Sequence, residues 1–130
     1  MPTVSQFMTR EPYSVASTDS LRRAHDLMHR HEIRHLPVLD GGRLVGVLAD
    51  RDITVIGALP GVDLHCVEVS HVMESPLDVW GETPLDQVSD LMLKRKRDCV
   101  IVRGGHGVEG IFTATDALQA LANLVRRATG

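Results

Sequence analysis

The sequence has few aromatic residues, few cysteines and no long apolar run, and each absence excludes a class of protein. Aromatic residues make up 3% of the 130 residues, so a core must be built from aliphatic side chains and methionine. Cys66 and Cys99 show neither a CxxC motif nor metal-ligand spacing, which indicates two free thiols. No apolar run reaches the ~20 residues that a membrane span needs, and the N-terminus lacks the pattern of a signal peptide. We therefore expect a cytoplasmic protein with no membrane association.

Signatures of nucleic-acid binding and of catalysis are also missing. The net charge is −3, from 14 Lys and Arg against 17 Asp and Glu, whereas sequence-independent nucleic-acid binding needs a basic surface. The densest basic run, residues 94–97, is short and precedes Asp98, so we interpret it as a solvated helix end. The sequence contains no GxSxG, Walker or GxGxxG motif. These absences favour a protein that is not an enzyme and has no nucleic-acid partner.

What the sequence does contain is an internal repeat with a spacing of about 64 residues. The segment LVGVLADRD (44–52) recurs as VEGIFTATD (108–116), which aligns Gly46 with Gly110 and Asp52 with Asp116. A repeat at a fixed period indicates two copies of one supersecondary unit, neither of which closes a core alone. We predict repeat 1 at residues 1–59, a linker at 60–66 and repeat 2 at 67–130.

Each repeat predicts the element order β-α-β-β-α and therefore the α+β fold class. An apolar lead-in (Val4–Met8 or Val69–Met73) ends at a proline-marked turn, and a short extended piece follows. A helical apolar stripe comes next, with Thr18 or Asp19 as the predicted N-cap in repeat 1 and Thr83 in repeat 2. Two β-rich runs then predict a hairpin, and a second helix is predicted to open near Asp50 or Ala114.

Both repeats also carry an acidic residue just after a glycine-containing strand. In repeat 2, Thr113 and Thr115 place hydroxyl groups beside the free N–H groups of a helix N-terminus, which suits a phosphate. Asp116 in the first helical turn can accept hydrogen bonds from a ribose diol. Helix capping by the same residues is the alternative interpretation. The matching Asp52 in repeat 1 favours a binding site.

These features together resemble a CBS domain pair, the tandem module named for cystathionine β-synthase. The resemblance runs from about Val4 to Leu124 and rests on the MTREP and MESP lead-ins, the RHLPV strand and the Gly-x-x-Thr-x-x-Asp corner. It implies a stand-alone regulatory module without catalysis or a required cofactor, in which two repeats pack as a pseudo-twofold pair. It also implies that AMP, ADP, ATP or S-adenosylmethionine binds in clefts between the repeats. A homodimer formed through the apolar helices is a further implication, as is a partner protein that the sequence does not identify.

Carried onto this sequence, the resemblance implies two ligand sites with different side chains. One site combines three corner residues with a segment that lines adenine: Thr113, Thr115 and Asp116 with Thr9, Pro12 and Tyr13. The other combines an acidic residue with three cations and a base-lining segment: Asp52 with Arg34, His35 and Arg51, and with Glu74, Pro76 and Leu77. Ala49 replaces the family's usual Ser or Thr in the second site, and Asp98 beside Arg97 disfavours polyphosphate in the first. The first site fits the ribose better and the second fits the phosphate better.

Two other interpretations remain open. The departures at Ala49 and Asp98 favour a structural or interaction dimer whose clefts are vestigial. His25 and His29 lie four residues apart on the first helix, so they share a face and can hold a metal ion in a metal-responsive module. No Cys, Asp or Glu at matching spacing completes such a set, which favours surface or interface histidines instead.

Overall fold

The computed structural model describes residues 2–129, and it confirms the α+β fold class and the β-α-β-β-α order of each repeat. The strands are β1 (Thr9–Arg10), β2 (Val15–Ala16), β3 (His35–Asp40), β4 (Arg43–Ala49), β5 (Asp78–Trp80), β6 (Cys99–Gly104) and β7 (Gly107–Thr113). The helices are α1 (Leu21–His31), α2 (Asp50–Gly57), α3 (Leu85–Arg95) and α4 (Ala114–Thr129), with three 3-10 turns at Val4–Gln6, Leu64–Cys66 and Val69–His71. Within residues 2–129, no helix combines the length and the apolar character required to cross a lipid bilayer.

The chain forms two compact units, and their boundaries do not coincide with the predicted linker. One unit, called the continuous unit, consists of Tyr13–Pro76. The other, called the split unit, combines the residues up to Pro12 with those from Leu77 onward. Each unit therefore contains the main body of one repeat and the lead-in of the other. The division of the sequence into repeats at 1–59 and 67–130 stays a prediction.

The continuous unit is built on the three-stranded sheet β2-β3-β4. Strands β3 and β4 form the hairpin that Asp40-Gly41-Gly42 predicts, with Gly41 and Gly42 at φ +57° and +84°. Apolar residues of α1, α2 and this sheet form its core, and the lead-in 69–73 of repeat 2 contributes three of the packed side chains: Val69, Val72 and Met73. The core of this unit is therefore completed by a segment of the other repeat.

The split unit is built on the four-stranded sheet β1-β7-β6-β5. Val88 and Met92 of α3 lie on its core face, where they pack with Val100, Val102 and Phe112. The lead-in of repeat 1 enters the same core through Val4 and Met8. The two units thus use the same arrangement, in which a lead-in packs onto the body of the other repeat.

The helix starts lie one or two residues away from the predicted caps. Ser20, rather than Thr18 or Asp19, is the N-cap of α1, and its side chain accepts a hydrogen bond from the Arg23 N–H. Asp19 instead accepts from the Ala16 N–H, 2.9 Å away. Pro84, rather than Thr83, is the N-cap of α3, and it contributes no side-chain hydrogen bond. The sequence Thr-Asp-Ser offers three successive capping side chains, so local chemistry does not select among them.

Gly46 and Gly110 allow the lead-ins to approach the last strand of each unit. A Cβ on Gly110 would lie 2.8 Å from the Thr9 carbonyl oxygen, and a Cβ on Gly46 would lie 3.0 Å from that of Glu74. The methionine of each lead-in also contacts the glycine: Met8 lies against Gly110, and Met73 lies against Gly46. A larger residue at either position must displace the methionine side chain and, at Gly110, the backbone of Thr9 as well, which explains why both copies hold glycine.

We expect Gly110→Ala to lower the free energy of unfolding by about 1–3 kcal/mol, because the added methyl group overpacks the contact with Met8 and Thr9. Urea denaturation measures this change. Gly105→Ala is the matched control, since no atom lies within 4 Å of its Cβ position. Equal urea midpoints for the two variants would contradict the close-approach role of Gly110.

Candidate functional site

The acidic residue of the split unit lies at a strand-to-helix corner and is held by the residue that precedes the helix. Strand β7 ends at Thr113, and Asp116 is the third residue of α4. The Asp116 N–H donates to Thr113 Oγ1 at 3.3 Å, while the Thr113 N–H donates to Asp116 Oδ2 at 3.0 Å. Thr113 Oγ1 also donates to Oδ2 at 3.3 Å. This reciprocal pairing is a capping box, so the capping interpretation of these residues holds alongside any binding role.

The lead-in of repeat 1 reaches the same corner. Strand β1 pairs with β7 in antiparallel register, with Thr9 opposite Ile111 and Arg10 opposite Gly110. This pairing places the Thr9 side chain beside the helix start, where Thr9 Oγ1 donates to Asp116 Oδ1 at 3.2 Å. The structure therefore brings together three of the six residues predicted for this site: Thr9, Thr113 and Asp116.

The other three residues predicted for this site have different surroundings. Thr115 is exposed in the first turn of α4. Pro12 is half-buried at the end of the lead-in, directly after Glu11, whose N–H donates to the Glu109 carbonyl at 3.1 Å. Tyr13 is the first residue of the continuous unit, where its ring stacks on His31 with centroids 3.8 Å apart. An adenine-lining role for Pro12 and Tyr13 stays a prediction.

The acidic residue of the continuous unit lies at the equivalent corner, but the helix that begins there has no side-chain cap. Asp52 is the third residue of α2, and Ala49 is the N-cap residue, which has no side chain able to accept a hydrogen bond. The Asp52 carboxylate forms no hydrogen bond or ion pair with any residue between 2 and 129. Its carboxylate therefore keeps its full acceptor capacity.

The backbones of the cationic residues predicted for this corner lie close to it. The Asp50 N–H donates to the Arg34 carbonyl at 2.8 Å, and His35 pairs with Ala49 across β3 and β4. Arg51 follows in the first turn of α2 and is exposed. The local fold thus places the backbones of all three predicted cations at the start of α2.

The lead-in of repeat 2 also reaches this corner. Val47 and Glu74 exchange two backbone hydrogen bonds of 2.9 Å, which repeats the pairing of Thr9 with Ile111. Pro76 is half-buried and ends the continuous unit. Leu77 belongs to the split unit, where it packs against the core and its carbonyl accepts from the Ile101 N–H at 2.8 Å. Base-lining roles for Glu74, Pro76 and Leu77 stay predictions.

The two histidines considered for a metal site do face each other on α1. The rings of His25 and His29 lie 5.6 Å apart, and His25 Nδ1 is buried without a hydrogen bond. In the part of the chain that the structure describes, no group of three or more His, Cys, Asp or Glu side chains is placed to hold a metal ion. A metal-responsive role therefore has two histidines and no third ligand to support it.

A groove between α3 and α4 is a concave feature of the split unit. Its volume is about 650 Å³, and its lining is mainly apolar, from Met92, Leu93, Ala117, Leu118 and Leu121. The three leucines of this lining are strongly exposed: Leu93 at 77%, Leu118 at 67% and Leu121 at 56%. The groove runs along the two helices and reaches the start of α4, where Asp98 and Ala114 also line it. An exposed apolar surface of this kind is typical of an interaction site.

Comparison with known proteins gives consistent matches across the chain. A family model described as CBS domain matches residues 4–56 and 69–123. The CBS domain-containing protein YhcV of Bacillus subtilis is 34% identical over 126 residues, which cover 95% of this chain and 89% of that protein. The chain also matches two much longer curated proteins. It spans 11% of a homoserine O-acetyltransferase of Methanocorpusculum labreanum and 13% of an A-adding tRNA nucleotidyltransferase of Geobacter sulfurreducens.

Solved structures with the same fold include ligand complexes. The CBS domain pair of protein MJ0100, in complex with 5′-methylthioadenosine and S-adenosyl-L-methionine, has a TM-score of 0.84 and 25% identity, covering 95% of this chain and 98% of that one. The structure of CBSX2 in complex with AMP has a TM-score of 0.79 and 25% identity, with the same coverage of 95% and 98%. These similarities extend over nearly the whole chain.

The thiol of Cys99 lies next to the acidic corner and is unreactive because it is buried. Cys99 is buried on β6 opposite Thr113, and Cys66 is exposed. Burial, reinforced by the nearby Asp98 carboxylate, raises the pKa of the Cys99 thiol to about 12. Because the thiolate is the reactive form, this thiol is inert at neutral pH. Both cysteines are free, as the sequence indicates, and Cys99 is the buried one.

We expect one thiol, Cys66, to react with Ellman's reagent at pH 8 in the native protein, and both to react in denaturant. The raised pKa of Cys99 stabilises the fold below the ordinary thiol pKa of 9.0, and this contribution is lost as the pH rises towards 12. Cys99→Ser should remove only the second, denaturant-dependent equivalent. Reaction of two thiols in the native protein at pH 8 would contradict the assignment.

Proposed function

This chain belongs to the CBS domain family, and we propose that it is a regulatory module that binds an adenosine-containing ligand at its acidic corners. The observation that carries the proposal is the acidic residue at the third position of both α2 and α4, Asp52 and Asp116. A carboxylate at such a position can accept both hydroxyl groups of a ribose. Similar CBS domain pairs hold AMP or S-adenosyl-L-methionine, which supports the ligand class. CBS domains are generally regulatory, and we propose no catalytic step.

We propose that the two corners prefer different ligands of this class. The corner at Asp52 lies beside Arg34 and Arg51, whose guanidinium groups suit the phosphate of AMP, ADP or ATP. At the other corner, the Asp98 carbonyl accepts from the Ala114 N–H at 3.0 Å, so an acidic residue is anchored at the start of α4. A second carboxylate disfavours a phosphate there. The Asp116 corner therefore suits a nucleoside without phosphate.

We propose that ligand binding acts on the lead-ins. Within each unit, a lead-in is joined to a corner of the other repeat through a short strand pairing. A ligand that contacts both parts would hold the lead-in in place and stabilise the folded state by mass action. A partner protein can then respond to the change in population of the ordered lead-in.

The direct test is the melting temperature of the protein with AMP, ADP, ATP, S-adenosylmethionine, 5′-methylthioadenosine and adenosine. A ligand at 100 times its Kd adds about 2.7 kcal/mol of stability, which corresponds to a rise of several degrees. Asp52→Ala should abolish the response to AMP, and Asp116→Ala should abolish the response to adenosine. Both variants are measured against their own ligand-free melting temperatures.

The expected pattern is selective loss, in which each variant keeps the response of the other corner. No rise with any of the six ligands at millimolar concentration would refute the proposal. It would favour the alternative of an interaction protein with vestigial sites.

We also propose that a second copy of this chain covers the groove between α3 and α4. Leu93, Leu118 and Leu121 leave a large apolar area in water, and its burial in an interface is favourable at roughly 25 cal/mol per Å². A twofold dimer through this surface would place the same leucines of both copies in contact.

Leu118→Glu with Leu121→Glu is expected to convert the dimer to a monomer in size-exclusion chromatography with light scattering. Glutamate keeps the helix propensity of α4 while placing charge in the apolar groove. Trp80→Ser is the matched control, because Trp80 is an exposed large apolar residue of β5 rather than of the helices. A monomeric wild type, or a dimeric double variant that remains helical, would disprove this interface.

A further inference from the structure

The carboxylate of Asp116 is already largely occupied by groups of its own unit. Oδ2 accepts from both the N–H and the hydroxyl of Thr113, and Oδ1 accepts from the hydroxyl of Thr9. A carboxylate offers about four lone-pair positions in total. About one position is therefore left, whereas a ribose diol with both hydroxyls bound needs two.

The three hydrogen bonds differ in how readily they can be exchanged. Those from Thr113 are partly buried and form the cap of a 16-residue helix, so their loss would expose the start of α4. The hydrogen bond from Thr9 is exposed, and its donor lies 107 residues away in sequence. Water can replace a lost partner at an exposed hydroxyl with little net cost. The Thr9 hydrogen bond is therefore the one that a ligand can displace.

The corner in the continuous unit has no counterpart of this interaction. The strand pairing gives Glu74 the position that Thr9 has in the split unit, and glutamate lacks the hydroxyl group of threonine. Ala49 likewise lacks the hydroxyl that Thr113 supplies. Before any ligand binds, the Asp116 carboxylate therefore already accepts hydrogen bonds, whereas the Asp52 carboxylate does not.

We propose that Thr9 sets the affinity and the ribose specificity of the Asp116 corner by competing with the ligand's ribose for Oδ1. This inference rests on the proposed function, because it assumes that adenosine binds at this corner. The Thr9 hydroxyl must leave Oδ1 before both hydroxyls of a ribose diol can donate to this carboxylate. A ligand that has only one of the two diol hydroxyls, such as 2′-deoxyadenosine, fills the one free lone-pair position and does not need to displace Thr9.

The test measures adenosine and 2′-deoxyadenosine binding by isothermal titration calorimetry in the Asp52→Ala background, which leaves the Asp116 corner alone. Thr9→Val keeps the shape and β propensity of the side chain and removes the donor. We expect it to tighten adenosine binding by about three- to tenfold, the value of one hydrogen bond. Binding of 2′-deoxyadenosine should not change, so the preference for the ribose should rise by the same factor.

Two variants control for effects unrelated to the hydrogen bond. Thr9→Ser keeps the hydroxyl and should bind as the parent does. Thr3→Val removes a threonine hydroxyl from the same lead-in, where it contacts Ser5 rather than Asp116, and should also bind as the parent does.

Three results would overturn the inference in distinguishable ways. Unchanged or weaker adenosine binding by Thr9→Val would show that Thr9 does not compete, while the proposed function would stand. An equal gain for 2′-deoxyadenosine would show that Thr9 acts on the corner without discriminating between sugars. No binding of either nucleoside by the parent and by Thr9→Val would refute the competition, and the proposed function of this corner with it.

Discussion

The structure depends on the close approach of each lead-in to a glycine in the last strand of a unit. At Gly46 and Gly110 the neighbouring backbone oxygen lies at 3.0 Å and 2.8 Å from the position that a Cβ would take. This approach allows the strand pairings that carry Thr9 and Glu74 to the acidic corners. It also inserts Met8 and Met73 against the sheets, so core packing and the geometry of the corners share one steric requirement.

Much of the fold could be predicted from the sequence because its signals are local. The apolar stripes of α1 and α3, the glycine turn before β4 and the two helix starts after β4 and β7 follow from spacing and turn chemistry. The caps were predicted less well, since Ser20 competes with two adjacent capping residues. The stacking of Tyr13 on His31 could not be predicted, because it joins residues from separate elements through tertiary packing.

The candidate site shows a similar division between local and long-range information. The cap formed by Thr113 and Asp116 lies within four residues and follows from the sequence. The resemblance assigned Thr9 to the same site as Asp116, but their contact depends on the register of β1 on β7, which the sequence does not show. The sequence does show that Ala49 replaces the capping threonine. It does not show that Asp52 is consequently left without a partner, since that requires the position of every nearby side chain.

The exchange of lead-ins also determines when each unit can form during synthesis on the ribosome. All residues of the continuous unit, Tyr13–Pro76, are available before the residues from Leu77 onward have been made. The split unit needs residues up to Pro12 together with residues from Leu77 onward, and the hydrogen bond between Thr9 and Asp116 spans 107 positions. Contacts of such long sequence separation form late and slowly. The pairing of Thr9 and Arg10 with β7 therefore cannot form until residues 107–113 have been made.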